Sequence, residues 1–352
     1  MNGSNIWVYI GVLNIAYFIA FFGFKILLRQ KWVKFIFDNK SRSRDIHTGI
    51  KPKIGGLVII PSFILIFTAL VYLDLLTWQN EFLGLLLGAF AILVYGYIDE
   101  KLDLYWSSQF IWQFGIAAIV VWSGVGIQAI NLPNGELWFI DSYQWWGIVF
   151  PQDIITLLWI VGLMNVVNWL DGVDGLAGGV GIIGFVTLFI LSLTLFVNQP
   201  HIALIAIVLV GLYLGFLRFN WYPSKIFLGT YGSMFLGYML AVLALISGGK
   251  IATSALVLAF PIIDAMVVIA QRIWNKKSIF EADNRHFHHK LLQAGISQRI
   301  AVLIMYSISI FFGVSALILE TRGKIIIFML GMLTLIIGSL LIAKFVAKNN
   351  RI

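Results

Sequence analysis

Three carboxylates fall within five residues in Gly96-Tyr-Ile-Asp99-Glu100-Lys-Leu-Asp103. At the end of an apolar run such a cluster is costly, since one Asp at the centre of a membrane helix costs about 2.5–3.5 kcal/mol. It reads as a solvated cap or as a set of groups able to take a proton and hold a metal. A second cluster is Asn165-Val-Val-Asn168-Trp-Leu-Asp171-Gly-Val-Asp174-Gly-Leu. Asn165 and Asn168 are neighbours on a helix face, and the two Asp-Gly steps then turn the chain. Amide and carboxylate oxygens of this kind suit Mg²⁺ and the hydroxyls of a ribose or sugar.

Four further stretches carry chemistry. Phe227-Leu-Gly-Thr230-Tyr-Gly-Ser-Met-Phe-Leu-Gly237 is rich in small residues, which let the backbone approach a ligand or a neighbouring helix closely. Asp283-Asn-Arg285-His286-Phe-His288-His289-Lys290 offers imidazoles between cations. With no cysteine in the chain, that mixture favours phosphate oxygens over zinc. Arg42 to Gly56 contains His47, Lys51, Pro52, Lys53, Gly55 and Gly56. Asp264 stands inside an apolar run, three residues after Pro261. It reads as a site residue or as a partner for Arg272.

The elements that must position these groups are membrane helices. Of the 352 residues, 60% are hydrophobic and 11% charged, against about 45–50% and about 25% in soluble domains. That composition excludes a soluble enzyme, a nucleic-acid binder and a disordered chain. The lack of cysteine excludes disulfides, thiolate metal sites and cysteine nucleophiles. Met1 to Ile6 has no positive charge and the apolar stretch behind it is long, unlike a cleaved signal.

Eleven bilayer-length runs are expected: 5–28, 54–73, 82–98, 109–125, 147–168, 176–197, 202–219, 227–247, 251–273, 299–319 and 325–347. None alternates as a barrel strand would. The fold class expected is an all-α polytopic membrane protein, with residues 1–352 forming a single integral membrane domain. Placing the N-terminus outside puts 21 Lys and Arg on the inner side and 3 on the outer, so the C-terminus is cytosolic. The polar clusters above then share the cytosolic face. The outer loop 126–146 reads as a small strand pair around Pro133-Asn134-Gly135. Carboxylates to hold a metal and take a proton, cations to hold a diphosphate and apolar walls to hold a lipid tail suggest phosphoryl transfer from a soluble anionic donor to a membrane-bound acceptor. A transporter would also place polar groups in its spans, but at the midplane rather than at one face.

On these residues the sequence resembles the polyprenyl-phosphate N-acetylhexosamine-1-phosphate transferases, a family that includes the phospho-MurNAc-pentapeptide translocase. The resemblance runs from about His47 to Ser297, with the motifs in family order. Asn-x-x-Asn-x-x-Asp-Gly-x-Asp-Gly-Leu is its most specific element. His286-x-His288-His289 followed by Lys-Leu-Leu resembles the branch that handles GlcNAc-1-phosphate for teichoic acid, O-antigen and related glycans. The His-His-His-Phe-Glu type of the MurNAc-pentapeptide branch is absent. The resemblance implies a phosphotransferase that moves a sugar-1-phosphate from a UDP-sugar to a polyprenyl (undecaprenyl) phosphate, with release of UMP. It implies Mg²⁺ as cofactor, with Mn²⁺ as the alternative, and a multi-pass protein of the cell membrane. The partners implied are UDP-sugar, polyprenyl phosphate and the lipid bilayer, with no nucleic acid and a homodimer left open.

Roles follow by motif position. Asp99 resembles the acid that deprotonates or positions the lipid phosphate. Glu100 stands where the family usually has a second Asp, and Asp103 matches a third recurring acid. Asn168 resembles a metal-proximal amide, with Asp171 and Thr230 as further metal candidates. Asn165, Asp171 and Asp174 would shape the nucleotide pocket. Lys53, Arg285, His286, His288, His289 and Asp264 would serve substrate binding. Two positions depart from the pattern: Thr230 replaces a metal-binding Asp, and Gln109 replaces a Lys or Arg. The alternative reading is a catalytically impaired relative that binds polyprenyl phosphate or nucleotide sugar.

Overall fold

The computed structural model describes residues 4–30, 51–102, 104–132, 136–141, 143–145, 148–247, 251–276, 278 and 286–349. Four helices come first: α1 (Ser4–Leu27), α2 (Gly55–Tyr72), α3 (Glu81–Leu102) and α4 (Trp106–Trp122). Two short antiparallel strand pairs follow. β1 (Ala129–Asn131) pairs with β2 (Leu137–Phe139), placing Ile130 opposite Trp138, and β3 (Tyr143–Trp145) pairs with β4 (Ile148–Phe150), placing Gln144 opposite Val149. The chain continues as α5 (Gln152–Leu170), α6 (Leu176–Ser192), α7 (Pro200–Asn220), α8 (Thr230–Ile246), α9 (Ile251–Val257) and α10 (Ala259–Trp274). It ends with α11 (Phe287–Gln293), α12 (Gln298–Ile318) and α13 (Thr321–Asn349).

The protein is an all-α polytopic membrane protein. Among the described residues, seven helices are long and apolar enough to cross a bilayer: α1, α2, α3, α5, α7, α12 and α13. α6 and α8 are apolar but shorter. Their N-terminal ends are set by glycine, which adopts left-handed backbone without a Cβ penalty. Gly175 (φ 81°) precedes α6 and Gly229 (φ 79°) precedes α8.

Two expectations need correction. The run 251–273 is two helices, α9 and α10. Pro261 has no N–H to give the carbonyl four residues back, that of Val257, and α9 stops there. The segment before α5 is a second strand pair, so the span expected from residue 147 starts as a helix only at Gln152. The turn at 133–135 lies outside the described residues, as do His47, Asp103 and Arg285.

Backbone proximity, rather than water exclusion alone, holds membrane helices together. α1 lies on α7 through small residues. A Cβ on Gly211 would stand 2.7 Å from that of Ala16, and one on Gly215 would stand 2.7 Å from that of Ala20. α7 and α8 form the centre, where Tyr213, Phe216, Phe235 and Tyr238 are fully buried. α13 is peripheral and keeps Ile326, Leu333, Leu340 and Leu341 exposed, a face fit for lipid.

The α3–α4, α5–α6 and α7–α8 connections meet at one end of the bundle, joined by segment 51–54 and by α11. Segment 52–56 is stitched to 227–228 by backbone hydrogen bonds: Phe227 N–H to Pro52 O, Gly55 N–H to Phe227 O and Gly56 N–H to Leu228 O, each 3.0 Å. The strand pairs lie at the other end, since α4 leaves the site end and α5 returns to it.

Candidate active site

Asp99 ends the last buried turn of α3 and is fully buried. The reversal into α4 returns Gln109 to it, and the Gln109 amide donates to Asp99 Oδ1 at 3.1 Å. Glu100 points to another element. The Thr230 N–H donates to Glu100 Oε1 at 3.1 Å, and Lys53 Nζ stands 3.9 Å from Oε2. Glu100 therefore satisfies the first N–H of α8, where a carboxylate also complements the helix dipole. A carboxylate from α3 thus stands beside position 230. Lys53 is held in turn by the Tyr231 hydroxyl, which donates to its carbonyl at 2.8 Å.

α5 delivers the second cluster. The side chain of Asn165 pairs with that of Gln113: its amide donates to Gln113 Oε1 at 2.6 Å and accepts at Oδ1 from Gln113 Nε2 at 3.3 Å. Asn165 thus joins α4 to α5. Asn168 Oδ1 accepts from the Ser233 hydroxyl of α8 at 2.9 Å. Asp174 is buried and receives the Ser224 N–H at 3.0 Å, the Ser224 hydroxyl at 2.7 Å and Lys51 Nζ at 3.7 Å. Gly175 N–H donates to Asn220 Oδ1 at 2.9 Å, and the Asn220 amide donates to Ile226 O at 2.9 Å.

Asp171 differs from its neighbours. It is half-buried, and among the described residues no hydrogen bond to its carboxylate is present. Burial pushes its carboxyl well above the usual carboxylate range; Lys53 opposes this, while Asp174 and Glu100 add to it. A buried acid of this kind seeks a cation or a proton.

The histidines close the site. The Asp264 carboxylate of α10 faces His286 Nδ1 at 2.8 Å and accepts the Phe287 N–H at 2.8 Å, so it fixes the ring and the start of α11. Arg272, weighed above as a partner for Asp264, donates instead to Ser278 O at 2.6 Å. His286 stacks on His288 with ring centres 5.6 Å apart, and His288 meets His289 at 4.2 Å. Trp169 reaches His286 from the end of α5, at 6.2 Å. His288 is fully buried, and neither ring nitrogen has a hydrogen-bond partner among the described residues. Burial, then His289 and His286, hold it well below the usual histidine range, so it is neutral at pH 7. Its Nε2 faces the Asp171–Gly172 step, 3.2 Å from where a Cβ on Gly172 would stand.

The fold therefore draws Lys53, Asp99, Glu100, Asn168, Asp171, Asp174, Thr230 and the three histidines to one end. It divides them by partner. Asn165, Asp174 and Asp264 are satisfied by protein groups, whereas Asp171 and His288 keep polar atoms for something else. Sequence reasoning passed over Gln113, Asn220 and Ser224. Their only signal was polarity within or between apolar runs. An Asp174→Ala variant, which strands Ser224 and Lys51, is expected to lose about 3 kcal/mol of stability, since hydrogen bonds to a charged group contribute most. Thermal unfolding in detergent checks this; an unchanged midpoint would return Asp174 to the substrate.

Residues 82–248 match the model of the glycosyl transferase family 4. Over 285 residues the chain is 33% identical to a probable undecaprenyl-phosphate N-acetylglucosaminyl 1-phosphate transferase of Bacillus subtilis, spanning 79% of this chain and 76% of that protein. It is 30% identical over 292 residues to a decaprenyl-phosphate N-acetylglucosaminephosphotransferase of Mycobacterium leprae, 75% of this chain and 72% of the other. A phospho-N-acetylmuramoyl-pentapeptide-transferase of Halalkalibacterium halodurans is 30% identical over 309 residues, covering 84% and 90%.

Proposed function

Because this chain belongs to the glycosyl transferase family 4, we infer its reaction from that membership and from the site. It is a multi-pass phosphotransferase of the plasma membrane that transfers GlcNAc-1-phosphate from a UDP-sugar to a polyprenyl phosphate. An oxygen of the lipid phosphate attacks the sugar-bearing phosphorus of UDP-GlcNAc. The bond from that phosphorus to the bridging oxygen breaks, UMP leaves with the oxygen, and a new diphosphate joins lipid to sugar. One diphosphate linkage is exchanged for another, so the equilibrium lies near balance. The reading rests above all on Asp171, a carboxylate with no hydrogen-bond donor of its own among the described residues, beside Lys53 and the histidines. The relatives are named as transferases, and nothing favours the impaired binder.

We assign Asp99 to the lipid phosphate, as the group that accepts its proton or orients it, with Gln109 fixing the carboxylate. Lys53 and the histidines face the donor's diphosphate, and Glu100 sets the N-terminus of α8. A divalent cation fits the remaining donors. Among the described residues no three His, Asp or Glu side chains converge as a metal cage. Asp171 with the oxygens of Asn168 and Thr230 suits Mg²⁺, which takes few protein carboxylates and keeps waters and substrate phosphates. When bound, such an ion neutralises charge on the transferring phosphoryl group. A donor labelled in the sugar-bearing phosphate tests the reading: the label should pass into the organic phase with the lipid, and label retained in water would refute it.

We further propose eleven membrane crossings, with α9 and α10 sharing one, an outer N-terminus and the site on the cytosolic face. The charge asymmetry supports this orientation. The chain has no cysteine, so single cysteines report cleanly. One at position 144 is expected to react with an impermeant maleimide from outside intact cells, and one at position 289 only after permeabilisation. The reverse pattern would invert the topology.

A further inference from the structure

The Asp171 loop is also held by a helix outside the matched residues 82–248. α12 lies against α6 and carries Tyr306, a half-buried residue in an apolar run. The Tyr306 hydroxyl donates to the carbonyl of Gly175, which also accepts the Gly179 N–H at 3.1 Å as the first bond of α6. The Tyr306 ring lies where a Cβ on Gly179 would stand, so glycine at 179 is what admits it. On the other side the Trp221 ring meets Tyr306 at 6.2 Å, and its edge is 3.2 Å from a Cβ position on Gly175. Gly175 is therefore gripped at both polar atoms: its N–H by Asn220 and its carbonyl by Tyr306.

This grip lies at the closed end of a loop whose other end, Asp171 and Gly172, is turned to the site. Its backbone at Gly175 is left-handed (φ 81°), and without outside bonds a glycine in such a turn samples many conformations. We propose that Tyr306 is a positioning residue for the UDP-sugar: its hydroxyl fixes Gly175 so that Asp171 and Gly172 are already placed when the nucleotide sugar arrives. The lipid phosphate is assigned to Asp99, on α3, which this bond does not touch. Tyr306 therefore acts on one substrate and not on the other. The inference rests on the reading of the Asp171 loop as a donor site.

Tyr306→Phe keeps the ring between Gly179 and Trp221 and removes only the hydroxyl. The expected result is a rise of about tenfold in KM for UDP-GlcNAc, in line with one lost hydrogen bond, with KM for polyprenyl phosphate within error of wild type and the unfolding temperature lowered by no more than about 4 °C. Equal loss for both substrates, or no change in either, would overturn the proposal. Hydrogen exchange on the unaltered protein reads the same point without a variant. The Gly175 and Gly179 amides should exchange slowly without nucleotide, and fast exchange there would contradict a preset loop, even if Tyr306→Phe failed to fold. Absence of turnover by the wild type would instead count against the proposed function, leaving the exchange measurement to judge the loop.

Discussion

Asp99→Asn is expected to lower kcat by about a thousandfold, the middle of the range for losing a positioned acid–base group. UDP-GlcNAc should still bind within about threefold of wild type. Asp99 is fully buried at the end of α3 and accepts a hydrogen bond from Gln109. Asparagine keeps an oxygen for that bond and loses the charge and basicity. Binding of the nucleotide sugar depends on the other side of the site, at Lys53, Asp171 and the histidines. The check is a pair of measurements, turnover under saturating substrates and calorimetric titration with UDP-GlcNAc. Turnover at the wild-type rate would remove Asp99 from the mechanism, and a parallel collapse of donor binding would move it to the nucleotide.

Asp171→Asn is expected to cut kcat/KM at least a hundredfold at low Mg²⁺ and yet to raise the unfolding temperature. Burial holds this carboxyl well above the ordinary range, with Lys53 opposing and Asp174 and Glu100 reinforcing. The sign follows from linkage. With a folded pKa above the unfolded one, the folded state binds the proton more tightly. Ionised Asp171 therefore costs stability at neutral pH, and stability rises as pH falls through the raised value. Asparagine removes the cost and flattens that pH dependence. An unfavourable charge kept where it harms the fold is expected of a group that serves a ligand. The measurements are activity across a Mg²⁺ series and thermal unfolding across pH without metal. Lower stability in the variant would make Asp171 a structural acid like Asp174.

That contrast shows what the sequence could and could not say. The helices were legible because lipid leaves one signal, the apolar run, and α1, α2, α7 and α12 appear where the runs predict them. The break between α9 and α10 was hidden in a continuous apolar run, marked only by Pro261. The second strand pair was hidden because β4, Ile148-Val-Phe, reads like the start of a span. At the site, polar residues inside apolar runs announced themselves by their cost. Whether a protein partner or a ligand offsets that cost depends on neighbours distant in sequence. Asp174 is separated by 50 residues from the Ser224 that satisfies it, and Glu100 by 130 from the N–H it accepts. Tyr306 had no motif at all; its meaning comes from the missing Cβ of Gly179.

The central claim is that this site transfers a phosphosugar, breaking the bond between the two phosphates of the donor. The most direct measurement incubates the purified protein with UDP-GlcNAc, undecaprenyl phosphate and Mg²⁺ and identifies the released nucleotide. The expected product is UMP, formed in equal amount to a lipid diphosphate–GlcNAc, and only when both substrates are present. Release of UDP would mean that the sugar alone is transferred, and no nucleotide release from folded protein that binds UDP-GlcNAc would mean that the chain is not a transferase.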